Sequence, residues 1–118
     1  MQPKESKYII KDRGKFISIE ILNEKLDLFD TPDILTGIET TLKKLEFPDC
    51  LIDLSRISLI DSTGIGLLIA LQNMLSKNSS RLAITGVTER VAEIFRITKM
   101  GTYFKIFESM EEAEHNFS

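Results

Sequence analysis

Apolar and polar residues alternate over residues 16–22: Phe16, Ile17, Ile19, Ile21 and Leu22 are apolar, while Ser18 and Glu20 fall on the other side. A period of two is the mark of a strand with one buried face. A short apolar run at 8–12 precedes it, with Arg13, Gly14 and Lys15 between, so the two segments read as an antiparallel hairpin. Residues 23–29 read as a loop. Over 30–45 the period becomes helical, and Ile34, Leu35, Ile38, Leu42 and Leu45 share one face. Asp30 supplies an N-cap and Pro32 stands near the first turn, both of which favour a helix start.

A turn at 46–49 leads into a short apolar strand at 50–54 with Asp53 inside it, followed by 55–60, and a strand is expected to end at Ile60. A helix is predicted from about Ser62 to Lys77, stopped by left-handed backbone in Asn78-Ser79-Ser80. Residues 81–87 form another strand. Thr88 caps a helix whose buried set is Val91, Ile94, Phe95 and Ile97, and Gly101 ends it. A last strand covers 103–107, and Ser109-Met110-Glu111-Glu112 fits the capping-box pattern that opens a terminal helix. Strands joined through helices need crossovers, which makes the later ones parallel with right-handed connections. The expected architecture is one α/β domain over 1–118: a mixed, mostly parallel sheet with an antiparallel hairpin strand at its edge and about four helices.

Composition narrows the function. The chain has 118 residues, 42% hydrophobic and 28% charged, a balance typical of one soluble globular domain. A net charge of −3 argues against direct nucleic-acid binding, which needs a basic surface. No stretch approaches the ~20 apolar residues of a membrane span. Residues 1–7 are polar and charged, so no signal peptide is read there, and the expected location is cytoplasmic. Cys50 is the single cysteine, which excludes an internal disulfide and fits a reducing compartment. It begins a strand and reads as a small core residue.

The search for chemistry removes most candidates. Gly64-Ile65-Gly66 follows a strand as a dinucleotide fingerprint does, but Ile69 stands where the third glycine is needed. There is no phosphate-loop motif. His115, the only histidine, lies near the end of the chain and is a poor partner for Ser62 in a triad. Asp27, Asp30 and Asp33 cluster where a loop meets a helix, and capping accounts for Asp30 and Asp33. No grouping has metal-ligand spacing, and neither a metal nor a cofactor is expected. No enzymatic activity is expected, and the chain is expected to be monomeric.

Ser62 remains. A helix N-terminus presents free backbone N–H groups and the positive end of the macrodipole, so a hydroxyl there is displayed and a phosphate on it can be accommodated. Its plain alternative is an N-cap. The helix that follows is apolar nearly all round in Ile65, Leu67, Leu68, Ile69, Ala70 and Leu71. Its outer face is therefore either a docking patch or covered by a neighbouring helix.

Asp61-Ser62-Thr63-Gly64-Ile65-Gly66 resembles the phosphorylation motif of the bacterial STAS-domain anti-sigma factor antagonists. The likeness extends along the chain. Leu26-Asp27 with Asp30-Thr31-Pro32 resembles the family's first loop and helix start, Leu51-Ile52-Asp53-Leu54 the strand before the motif, and Phe95 with 101–106 its final helix-to-strand stretch. The resemblance implies a partner-switching cycle. The unphosphorylated antagonist binds an anti-sigma factor that is also a serine/threonine kinase, the kinase phosphorylates it from ATP and releases it, and a PP2C-type phosphatase restores it. By the same resemblance Ser62 is the phosphoacceptor, Asp27 the nearby loop carboxylate and Thr63 a lesser acceptor. The partner surface is expected to comprise Asp27, Leu28, Phe29, Asp61, Ser62, Thr63, Gly64 and Ile65. Glu24 departs from the family's usual glycine, and Leu28 and Phe29 make this loop more apolar than is usual. The rival classes are a STAS subunit of a transport or lipid-trafficking complex, a small-ligand or nucleotide-binding module, and an enzyme. An intact Asp-Ser-Thr-Gly motif, a missing phosphate loop and a missing base weigh against them in turn.

Overall fold

In a computed structural model that describes residues 7–117, the elements run β1 (Tyr8–Asp12), β2 (Ile17–Ile21), β3 (Lys25–Leu26), α1 (Thr31–Lys44), β4 (Cys50–Asp53), β5 (Leu59–Ile60), α2 (Ser62–Lys77), β6 (Leu82–Thr85), α3 (Glu89–Thr98), a 3-10 turn (Met100–Thr102), β7 (Lys105–Ile106) and α4 (Met110–Asn116). The amino-terminal residues read as carrying no signal peptide lie outside the described residues, Lys7 excepted.

The hairpin is present, with Tyr8 opposite Ile21 and Asp12 opposite Ile17. Beyond it the five-stranded sheet has the order β1-β2-β4-β6-β7, and every pairing after the first is parallel. Each crossover advances the sheet by one strand in the same direction. Right-handed connections therefore place α1, α2 and α3 on one face. Alternation decides which side chains meet them. Ile17, Ile19 and Ile21 of β2 join Cys50, Ile52, Leu82 and Ile84 in the main core, together with Ile38, Leu68 and Phe95 from the helices. Leu51 and Ala83 point the other way, into a smaller cluster with Phe16, Phe107, Ala113 and Phe117 beneath α4. Arg81 closes that cluster: its guanidinium lies 4.9 Å from the Phe117 ring centre, donates to the Phe117 carbonyl at 2.8 Å and pairs with Asp49 at 2.6 Å.

Several local expectations change. Ser18 is buried rather than solvent-facing, and its hydroxyl accepts from Arg13 Nε at 3.0 Å, because the second sheet face is also partly covered. Asp30 occupies the N-cap position of α1 in helical backbone and makes no side-chain cap; its carboxylate pairs with Lys7 at 3.1 Å instead. In α3 Val91 and Phe95 are buried, Ile94 is half-buried and Ile97 is 67% exposed. Lys99, not Gly101, ends that helix, in left-handed backbone at φ 63°. The capping box of α4 is displaced by one residue, since Ser109 Oγ accepts from the Glu112 amide at 3.0 Å while the Glu112 carboxylate accepts from the Glu108 amide at 3.2 Å.

Cys50 lies fully inside the main core, where its thiol donates to the Pro48 carbonyl at 3.2 Å. Burial, and secondly the Asp49 carboxylate, push its pKa up from 9.0 to about 12. The native state thus holds the thiol proton where an unfolded chain releases it. The stability that this contributes is present below pH 9.0 and is lost as pH rises toward about 12. Iodoacetamide at pH 8 should leave Cys50 unmodified in the folded protein and alkylate it fully in 8 M urea. Rapid modification of the native protein, read by intact mass, would contradict this burial.

Candidate functional site

The site begins with a choice between two adjacent caps. Asp61 has extended backbone, φ −108° and ψ −172°, and its carboxylate accepts from the amides of Thr63 at 2.9 Å and Gly64 at 3.1 Å. Asp61 is therefore the N-cap of α2 and Ser62 its first helical residue. A serine in that place has no capping task. The Ser62 side chain is exposed, and its hydroxyl forms no hydrogen bond among the described residues.

A second, two-stranded sheet brings a distant loop to this helix start. In the parallel pair β3–β5, Leu26 is opposite Ile60 and Lys25 is opposite Leu59. The Leu26 carbonyl accepts from the Asp61 amide at 3.3 Å. The same carbonyl lies over Gly64, where a Cβ would press on that oxygen and also lie 2.7 Å from Ile60 Cγ1 and 3.0 Å from Leu26 Cγ. Gly64 is thus required by the close approach of backbone. Gly66 has nothing within 4 Å of a Cβ position. The two glycines of the motif have different reasons to be there, and neither is a phosphate cradle.

Asp27 follows Leu26 directly and Asp61 follows Ile60, so both leave the same end of the short β3–β5 pair. The Asp27 carboxylate accepts from the Phe29 amide at 3.0 Å, and its carbonyl accepts from the Thr31 amide at 3.0 Å. These bonds hold a tight turn that carries Leu28 and Phe29 outward, 63% and 85% exposed. Leu59 on β5 is also exposed, at 44%, and lies opposite Lys25 of β3. It is absent from the surface that the sequence predicts. Its signal was alternation with buried Ile60, too short to register in a strand of two residues.

Two expected surface positions are corrected. Gly64 is buried beneath Leu26, and Ile65, 8% exposed, belongs to the main core. The apolar circumference of α2 is covered as well. Leu67, Leu68, Leu71 and Leu75 are buried, and the helix lies against α1, β5 and β6. The large exposed apolar side chains of this region are Leu28 and Phe29 of the loop and Leu59 of β5, and none is on α2.

The chemistry open to this arrangement is limited. Ser62 has no base bonded to it, Asp61 already accepts two amide bonds, and His115 sits on α4 across the sheet. No cluster of three or more metal-ligating side chains occurs among the described residues, and no described helix is long and apolar enough to cross a membrane. A displayed hydroxyl of this kind suits a group-transfer acceptor whose catalytic residues come from another protein.

Comparison with known proteins gives consistent matches. The STAS domain family model matches residues 15–113. The anti-sigma-B factor antagonist of Staphylococcus aureus strain NCTC 8325 is 30% identical over 99 residues, spanning 84% of this chain and 90% of that protein. An anti-sigma-factor antagonist (STAS) domain protein from Planctomyces limnophilus superposes with a TM-score of 0.83 at 15% identity, covering 94% of this chain and 97% of that one. The Bacillus cell fate determinant SpoIIAA in its phosphorylated form superposes with a TM-score of 0.70 at 18% identity over 94% of this chain and 99% of that one. The unphosphorylated form of SpoIIAA gives 0.75, also at 18%, over 93% and 95%. At these identities the solved structures speak for the fold.

Proposed function

The chain belongs to the STAS domain family, and from that premise we propose that it is an anti-sigma factor antagonist working by partner switching. In its unphosphorylated form it binds a cytoplasmic anti-sigma factor that is also a serine/threonine kinase, and so frees a sigma factor. Phosphorylation of Ser62 dissolves the complex, and a PP2C-type phosphatase restores the binding form. The contact surface is Asp27, Leu28, Phe29, Leu59, Asp61, Ser62 and Thr63.

One observation carries this reading: Ser62 is an exposed, unbonded hydroxyl at the first position of α2, a helix start that pairs through β5 with the strand leading into the exposed Leu28-Phe29 turn. A structural serine would cap the helix, and here Asp61 does so. The division of labour leaves the hydroxyl free to be modified. The tight turn at Asp27 supplies the second half of the argument, because it holds Phe29 out of the core at a fixed place.

The test is to incubate the protein with its cognate anti-sigma kinase and Mg-ATP and to map the phosphate. One phosphate on Ser62 is expected, absent in Ser62→Ala and retained in Thr63→Ala. Phe29→Ala should weaken kinase binding by about 10-fold or more, as removal of an exposed aromatic anchor does, and change folding stability by less than about 0.5 kcal/mol. Phosphate on Thr63, or unchanged affinity in Phe29→Ala, would refute the assignment.

A further inference from the structure

Away from Ser62, a cavity of about 620 Å³ lies between α3, the 3-10 turn and β7. Its size falls within the range of small-molecule sites, roughly 300–1,000 Å³. Val87, Ala92, Phe95 and Ile106 give it an apolar lining, and Arg96 and Lys99 supply two cations. Ala92, Phe95, Arg96 and Lys99 follow at spacings of three and four, so one stripe of α3 serves the whole wall. No carboxylate lines the cavity. Neither Arg96 nor Lys99 forms an ion pair or side-chain hydrogen bond among the described residues. Phe95 is buried at its floor.

We infer that this cavity binds a small amphiphilic monoanion, a medium-chain aliphatic carboxylate, with its chain on the apolar lining and its carboxylate at Arg96 and Lys99. Charge decides the class. An apolar body satisfies the lining, and an anion satisfies two cations that have no partner within the fold. The helix terminus sets how much negative charge is tolerated. Lys99 is the C-cap of α3, so the carbonyl end of the helix, with its partial negative charge, is at the cavity. That partial charge opposes any anion, a doubly charged phosphate about twice as much as a monoanion, so the two cations can outweigh it for the monoanion. None of the residues assigned to the Ser62 surface lines the cavity, so the inference stands apart from the partner-switching reading.

The probe is sodium decanoate, titrated into the full-length 15N-labelled protein below the micellar range, with amide shifts as the readout. Saturable shifts at Val87, at residues 92–102 and at Ile106 are expected. Affinity should rise roughly two- to fourfold per methylene from hexanoate to decanoate, as burial of each added CH2 requires. Arg96 and Lys99 are exposed, so Arg96→Gln combined with Lys99→Gln leaves the fold intact. That variant should bind decanoate about tenfold more weakly and bind decanol unchanged. Ala92→Leu, which projects three more carbons into the cavity, should weaken decanoate binding. Decanol or dodecyltrimethylammonium binding wild type as tightly as decanoate would overturn the inference. So would a double glutamine variant that keeps full decanoate affinity. Sedimentation revealing self-association that Ala92→Leu removes, with no decanoate shifts, would assign the face to a second copy of the chain and overturn it as well.

Discussion

Stoichiometric phosphorylation of Ser62 should lower affinity for the cognate anti-sigma kinase at least about a hundredfold while the protein stays folded. The added group carries roughly −1.5 to −2 charge at neutral pH. Sequence reasoning lets the helix N-terminus absorb that charge, but the amides of Thr63 and Gly64 already donate to the Asp61 carboxylate. A phosphate on Ser62 would therefore stand in front of an occupied helix end, next to the Asp61 carboxylate. It is displayed rather than neutralised. A partner surface fitted to a neutral hydroxyl and to Leu28, Phe29 and Leu59 would have to bury it unpaired, at a cost of several kcal/mol. Each ~1.4 kcal/mol is a factor of ten in affinity. Ser62→Ala should bind constitutively, and Ser62→Asp should bind weakly while remaining folded. Calorimetric titration of the kinase with phosphorylated and unphosphorylated protein is the deciding measurement. Equal affinities would end the switch mechanism.

The largest expected loss of stability comes from adding a single methyl group. Gly64→Ala should destabilise the fold by about 2–3 kcal/mol, whereas Gly66→Ala should leave it unchanged or stabilise it by about 0.5–1 kcal/mol. Both residues lie in the first turns of α2, and both would gain helix propensity as alanine, about 1 kcal/mol. At Gly64 the new Cβ collides with the Leu26 carbonyl, with Ile60 Cγ1 at 2.7 Å and with Leu26 Cγ at 3.0 Å. The carbonyl cannot yield, because it accepts the Asp61 amide and is part of the β3–β5 pair. At Gly66 the space is open. Urea midpoints of the two variants decide the matter, and similar midpoints would mean that the carbonyl does not press on α2.

The long periodic segments were legible because their periods extend over enough residues to be counted. The alternation at 16–22 predicted β2, and the apolar stripe at Ile34, Ile38 and Leu42 predicted α1, from periodicity. Short elements were legible unevenly. The two-residue β7 falls inside the strand expected at 103–107, and β5 ends at Ile60, where a strand is expected to end. β3 also has two residues, and nothing in Lys25-Leu26 distinguishes pairing from the loop expected at 23–29. Helix ends were readable to within a residue or two, and that margin matters here. Asp61 and Ser62 are both good capping residues, and only the backbone angles reveal which one caps. Gly101 is the usual helix stop, but Lys99 takes the left-handed position first. The candidate site was legible as a motif. Its surface was not, because Gly64 and Ile65 turn inward and Leu59 turns outward for reasons set by the second sheet.

The β3–β5 pair ties residues 25–26 to 59–60, and so the turn at 27–29 to the start of α2, although more than 30 positions of chain separate the two strands. On the proposed function, what the molecule offers is a discontinuous epitope. A protein that grips Phe29 has already fixed the reach and angle of its approach to Ser62, as a jig fixes a drill. Selectivity for this serine then belongs to the folded shape and not to the residues that flank it in the chain. A linear peptide carrying Asp61-Ser62-Thr63 retains every letter of the motif and loses the distance that makes it recognisable.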